Sequence, residues 1–217
     1  TPQITQLNMN VPACYECVIA NVGLPYEEII DNCLSESIEY AFEGNFGQGI
    51  LTSYDVLASD SVVLESTTNR RGVTYALVDT PLGEVHAFCT HLTAGLSSVP
   101  YPVGGAFGSW EEEQRAQIDA MLAFVDEKAG DGQVLLMGDF NTGPAGDGYE
   151  AEMPDHYADI LAAGFANPYE TTPGHGCTFC ADNPINAKAS ANDKPNSVLI
   201  DHIFVKGFAD GAASADY

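Results

Sequence analysis

The polar side chains best suited to reactivity fall in three short stretches. In the first, Gly-Asp-Phe-Asn-Thr at 138–142 closes the apolar run Val-Leu-Leu-Met at 134–137. A short, continuous apolar run bounded by Gly reads as a strand buried on both faces. Asp139 and Asn141 then sit at its C-terminal mouth, where α/β sheets commonly place their chemistry. Alternation sends Asp139 and Asn141 to one side and Phe140 to the other. A carboxylate beside an amide can hold a hard cation, a water or a phosphate oxygen, although Asp and Asn also favour plain polar turns. The second stretch is Thr90-His91-Leu92, at the end of the apolar run 85–90. A His at a strand end reaches into a cleft, yet a lone His is more often structural. The third is Asp201-His202, which interrupts Val-Leu-Ile and Ile-Phe-Val. One of the two must face inward or toward a cleft, and a buried carboxylate needs a partner. Asp201 is therefore a functional candidate, and His202, pointing the opposite way, is ambiguous.

These stretches need elements to hold them. Residues 24–42 have helical spacing, with Ile29, Ile30, Cys33 and Ser37 along one face, and Gly44, Gly47 and Gly49 end it. Residues 50–52 read as a short strand and 56–64 as another, followed by a turn at Asn69-Arg70-Arg71-Gly72. Strands at 73–78 and 85–90, joined by Pro81-Leu82-Gly83, form an antiparallel hairpin. Ser109 is a good N-cap, and Glu112 three residues on completes a capping box. Ile118, Met121, Leu122 and Val125 make the apolar stripe of that helix, and Gly130 stops it. A second helix runs over 155–163 to Gly164, a long loop over 165–195, and a last strand over 197–205. Hairpin strands mixed with helices, with no internal repeat or linker-like tract, predict one α/β sandwich domain over 1–217.

The chain carries 31 acidic and 7 basic residues, a formal charge of -24. Such a surface repels polyanions unless a local basic patch or divalent ions intervene. Arg70-Arg71 is the one adjacent pair of cations in the sequence, and a solvated turn is the plainer reading of it. No stretch of 18 apolar residues is present to span a membrane. No signal-peptide pattern opens the sequence, so any such peptide is expected to have been removed already.

The cysteines are Cys14, Cys17, Cys33, Cys89, Cys177 and Cys180. The two C-x-x-C pairs lie far apart and lack knuckle sequence, which argues against a shared zinc site. No strand-then-helix pattern places either as a redox pair. Disulfides of an exported protein fit best: Cys177 with Cys180, and Cys33 with Cys14 or Cys17. Cys89, inside an apolar strand, is expected to be a free buried thiol.

Taken together and in order, the three polar stretches resemble the endonuclease/exonuclease/phosphatase superfamily, which includes deoxyribonuclease-I-like nucleases and neutral sphingomyelinases. The match runs over about 45–205. It includes Gly49-Ile50-Leu51-Thr52-Ser53, Arg71-Gly72-Val73, Thr90-His91-Leu92, Gly138-Asp139-Phe140-Asn141 and Ile200-Asp201-His202-Ile203-Phe204-Val205. Ser109-Trp110 and Gln114 also fit secreted bacterial members. The resemblance implies a four-layer α/β sandwich of two packed, mostly antiparallel sheets flanked by helices. It implies hydrolysis of a phosphodiester, in nucleic acid or a phospholipid, with Mg²⁺ or with Ca²⁺ or Mn²⁺, by a secreted, extracellular or periplasmic protein. By position, Asp139 would orient or deprotonate the attacking water and Asn141 would hold that water or a phosphate oxygen. His91 would donate to the phosphate, and Asp201 would orient a catalytic His. Asp139 and Asn141 would also ligate the metal, together with a Glu.

The departures are specific. No apolar strand with Asn and then Glu precedes Cys14, where Asn8 and Asn10 lie among polar residues, and no Ser-Asp-His strand follows residue 205. The chain thus reads as the middle of a family member, with separate chains as one source of the terminal strands. A different class of function follows from the same departures: an inactive scaffold or assembly protein that keeps the fold. For a lipid-directed enzyme, Tyr101, Phe107 and Trp110 are the candidates for an exposed aromatic loop.

Overall fold

A computed structural model describes residues 47–209, except 68, 97–99, 103–104, 173, 175 and 185–196, together with Cys17, Pro25, Glu28 and Cys33. Within these residues the strands are β1 (Asp55–Leu64), β2 (Arg71–Thr80), β3 (Gly83–His91), β4 (Gln133–Asp139) and β5 (Asp201–Lys206). The helices are α1 (Trp110–Ala129) and α2 (Pro154–Ala162).

The strands form one sheet in the order β1-β2-β3-β4-β5. Neighbours are antiparallel except β3 and β4, which are parallel. That parallel step requires a crossover, and α1 supplies it. The mixed sheet with its helices is the expected α/β class; no second sheet forms among the described residues, and of the helix expected over 24–42 Glu28 and Cys33 are helical while most of the span lies outside the described residues.

Local chemistry explains the elements. The hairpin of β2 and β3 closes with Thr80 opposite Gly83, and Gly83 takes the positive φ of 100° that this tight turn requires. Ser109 caps α1 by accepting from the Glu112 backbone N–H at 3.1 Å. The capping box is only half formed, because the Glu112 carboxylate accepts from the Gly108 backbone N–H instead. Among the described residues β1 is an edge strand, exposed along most of its length. A register shift between Val56 and Ala58 disrupts its ladder, a common defence against edge-to-edge pairing.

Both helices lie on one face of the sheet. Ile118, Met121 and Val125 of α1, and Tyr157 and Ile160 of α2, share a core with Leu64, Val73, Phe88, Val134, Leu136 and Phe204. On the other face Ala76, Val78 and Ala87 pack with Ile50 and Met137. β4 is therefore buried on its helix side but half-buried on the other, a correction to the strand expected to be buried on both faces. Residues 50–52 form no strand, Arg71 and Gly72 belong to β2 rather than to a turn, and the last strand begins at Asp201 rather than 197. The disulfides are Cys17–Cys33 and Cys177–Cys180, and Cys89 is free but half-buried. Cys14 lies outside the described residues.

Candidate functional site

Three strands deliver one row of side chains. His91 ends β3 opposite Asp139, which ends β4, and Asp139 in turn lies opposite Asp201, the first residue of β5. Residues in register on adjacent strands share a face, so the three stand side by side away from the helices. His91 Nε2 lies 3.3 Å from Asp139 Oδ2. A groove of about 990 Å³, floored by Leu135, Met137, Ile203 and Val205, ends at Asp139 and Asp201.

Gly138 makes this row possible. Its φ is 142°, and a Cβ there would lie 1.9 Å from the Thr90 carbonyl oxygen of β3. Only Gly allows β4 to come this close to β3 just before Asp139.

The electrostatics separate the members of the row. Burial, then the negative charge of Asp201, pushes the Asp139 carboxyl up to about 6, while the Asn141 backbone N–H and the Arg71 charge act the other way. Burial, then Arg71, pushes His91 down to about 4. His91 is thus a neutral imidazole beside a carboxylate that ionises near neutrality. Arg71 is only 7% exposed. Burial pushes it down to about 10 against the pull of Asp139 and Glu113. The solvated-turn reading of Arg70-Arg71 fails for Arg71: as the first residue of β2, it is carried beneath the site.

Asn141 departs from the expected alternation because β4 ends at Asp139 and Asn141 adopts φ 48°. Its backbone N–H donates to Asp139 Oδ1 at 2.9 Å, and its Nδ2 donates to the Leu92 carbonyl at 2.9 Å. One side chain then ties this loop to the loop after β3. Gln114 Nε2 donates to the carbonyls of Thr93, Phe140 and Asn141 at 2.6, 3.3 and 3.0 Å. His156 Nδ1–H holds Gln114 in that orientation through Oε1 at 2.6 Å. Beside it, Thr93 Oγ1 donates to Glu113 and its N–H to Gln117.

Asp201 and His202 part company as expected, with His202 turned into the core at 4% exposure. Its Nε2–H donates to the Thr142 carbonyl at 2.8 Å and its Nδ1 accepts from Asn167 at 3.0 Å, which fixes the neutral tautomer. The ring packs against Phe140, Tyr157 and Phe204. The aromatic-loop candidates are not an exposed set either: Trp110 is buried, and Tyr101, half-buried against it, donates its hydroxyl to Glu113.

Sequence patterning missed Glu113, Gln117 and His156, read Arg71 as part of a solvated turn, and weighed Gln114 only through resemblance. The signal was available for the helix: Glu113, Gln114 and Gln117 extend the stripe of Ile118, Met121 and Val125 at helical spacing, and all are buried. Polar residues on an apolar stripe require buried partners.

The donors that converge on the groove are oxygens, from Asp139 and Asp201, as a hard cation prefers. Among the described residues no three His, Cys, Asp or Glu side chains are grouped to hold a metal.

The sequence model of the Endonuclease/Exonuclease/phosphatase family matches residues 8–215. This is wider than the expected 45–205 and lends no support to strands supplied by separate chains. No curated protein matches the sequence. Among solved structures, sphingomyelinase C from Streptomyces griseocarneus is similar with a TM-score of 0.54 at 20% identity, over 74% of this chain and 53% of that one. SmcL is similar with a TM-score of 0.56 at 18% identity, over 75% of this chain and 54% of that one. The chain thus spans about half the length of these two structures.

Proposed function

We propose that this chain, which belongs to the Endonuclease/Exonuclease/phosphatase family, forms one domain that acts as an exported, divalent-metal-dependent phosphodiesterase. The observation that carries the reading is the row His91, Asp139, Asp201 at the end of the groove, with the Asp139 carboxyl raised to about 6. Two carboxylates facing each other across adjacent strands repel, and a cation between them relieves the repulsion. Asp139, with the Asn141 amide oxygen, would hold Mg²⁺ or a similar hard ion. Such an ion polarises a phosphoryl oxygen and lowers the pKa of bound water.

The side chains account for the rest. As a carboxylate, which a bound cation favours, Asp139 accepts a proton from an attacking water or orients it. Neutral His91 has a single N–H, which serves either Asp139, 3.3 Å from Nε2, or a phosphate oxygen; with Asp139 turned to a cation or water, it would donate to the phosphate as charge builds on its oxygens. Asn141 keeps one amide hydrogen beyond its bond to Leu92 for a phosphate oxygen. Asp201 sets the local charge and would orient a catalytic His. Both disulfides favour an oxidising compartment, and no helix among the described residues is long and apolar enough to cross a membrane.

A second reading, a scaffold that kept the fold, draws on the lack, among the described residues, of three His, Cys, Asp or Glu side chains grouped so that they could hold a metal. Hydrolysis of bis(p-nitrophenyl) phosphate with Mg²⁺ and then with EDTA decides between them. The enzyme reading expects turnover that EDTA and Asp139→Ala each abolish, and a melting temperature raised by Mg²⁺. Folded protein with neither turnover nor a thermal shift is the scaffold.

A further inference from the structure

The stretch Cys177-Thr178-Phe179-Cys180 has no part in the chemistry above, yet it sits against the site. The disulfide closes over a sequence separation of 3, with Thr178 and Phe179 between its ends. The enclosed backbone lies on the segment that leads into β5. Thr178 N–H and Phe179 N–H both donate to the Val198 carbonyl at 3.1 Å, and Val198 N–H returns a bond to Phe179 at 2.9 Å. The Thr178 side chain goes further. Its Oγ1 accepts from the backbone N–H of Ile200 at 3.1 Å and of Asp201 at 3.0 Å. A hydroxyl oxygen has two lone pairs, and both are used on the residues that start the strand. Ile200 is also gripped from β4, whose extension donates Phe140 N–H to the Ile200 carbonyl at 2.9 Å. Thr178 itself lines the groove beside Asp139 and Asp201.

We propose that the stapled loop is the device that positions Asp201, with Thr178 as the positioning residue and the Cys177–Cys180 disulfide as its clamp. Asp201 opens its strand, and among the described residues the ladder holds it from one side only. The hydroxyl supplies a fixed point on that other side, and the disulfide holds the hydroxyl in place. The separation of the Asp201 and Asp139 carboxylates is set by this loop as well as by the β4–β5 pairing. Its bearing on turnover rests on the phosphodiesterase reading; its bearing on the backbone does not.

Two readouts on the full chain test it. The first is amide hydrogen exchange at Ile200 and Asp201, followed by NMR with the Leu136 amide as a core reference. The second is kcat and KM for bis(p-nitrophenyl) phosphate with Mg²⁺. Thr178→Val removes the acceptor and should raise exchange at both amides about tenfold with Leu136 unchanged. It should lower kcat about tenfold with KM within about twofold. Thr178→Ser keeps the hydroxyl and should restore both. Cys177→Ser with Cys180→Ser should move both readouts in the direction of Thr178→Val. Unchanged exchange at Ile200 and Asp201 in Thr178→Val overturns the proposal, as does exchange that rises equally at Leu136 in every variant. Wild type without metal-dependent turnover overturns the enzymatic reading instead, and the positioning role then stands or falls on exchange alone.

Discussion

Asp139 carries opposed demands on stability and on chemistry. Its carboxyl moves from an ordinary value of 3.8 to about 6 in the folded chain. Between those values the folded state binds more protons than the unfolded one, so stability falls as pH rises from about 4 to about 6 and stays lower above. With the side chain 28% exposed, the cost at neutral pH is on the order of 1–3 kcal/mol. Asp139→Asn keeps the Oδ1 that accepts from Asn141 and removes the charge. It should melt several degrees higher than wild type at pH about 7.5 in EDTA, and the difference should vanish near pH about 4. Turnover and the Mg²⁺-induced thermal shift should both be lost. A variant that melts lower than wild type in EDTA at neutral pH contradicts this account. His202 has the opposite sign. Burial pushes it from 6.5 down to about 4, so the unfolded state binds the extra proton and stability is lost as pH falls from about 6.5 toward about 4. His202→Ala leaves the Thr142 carbonyl unpaired and opens a cavity among Phe140, Tyr157 and Phe204. Urea unfolding at pH 7 should show a loss of about 2–4 kcal/mol, with a shallower acid limb than wild type.

At the scale of elements, α1 connects the core to the site. Its N-terminal half turns Glu113, Gln114 and Gln117 toward the loops after β3 and β4, and its C-terminal half turns Ile118, Met121 and Val125 toward the sheet. Gln114→Leu is close in volume but strips donors from three carbonyls and leaves the His156 Nδ1–H buried without its acceptor. The expected loss is about 2–4 kcal/mol in urea unfolding, with a fall in kcat larger than that for Ser109→Ala, which removes only the cap and costs about 1 kcal/mol. Equal kcat in the two variants would show that Gln114 serves the helix and not the loops. The same helix shows what the sequence made legible. Its start at Ser109, stop at Gly130 and apolar stripe were readable because caps and period are local signals. So was the β2–β3 hairpin, set by its turn. His91, Asp139 and Asp201 could be named because polar residues at strand ends stand out against apolar runs. Their common row could not be derived from the residues, since it depends on the parallel β3–β4 pairing and its register. Arg71 read as turn because nothing local tells a buried guanidinium from a solvated one. Asn141 was assigned the strand's alternation because its positive φ leaves no mark in the sequence.

At the scale of the whole molecule, the charge of -24 would separate one class of phosphodiester substrate from another under the proposed function. A polyanion approaching this surface meets a repulsive field, and the cations able to offset it are few: 7 Lys and Arg in all, with Arg71 buried. Most nucleic-acid enzymes lose affinity as salt rises, because basic side chains release counterions from the phosphates. Here the dominant long-range term is repulsion, which salt screens. The Debye length shortens from about 30 Å at 0.01 M to about 8 Å at 0.15 M, so the penalty on encounter should fall across that range. If the substrate is nucleic acid, kcat/KM on a DNA oligonucleotide at fixed Mg²⁺ should rise several-fold as NaCl goes from about 10 to about 150 mM. A phospholipid with a zwitterionic head group has no net charge to repel, so kcat/KM on it should change by less than about twofold over the same range. Both substrates can be run on one preparation with the oligonucleotide as competitor. A DNA rate that instead falls steeply with salt would reveal a local basic track strong enough to override the net charge. That outcome would make a polynucleotide the substrate despite the acidic surface. A rate on zwitterionic lipid that is high and insensitive to salt, with little DNA cleavage at any salt, would assign the groove beside Asp139 and Asp201 to a lipid head group.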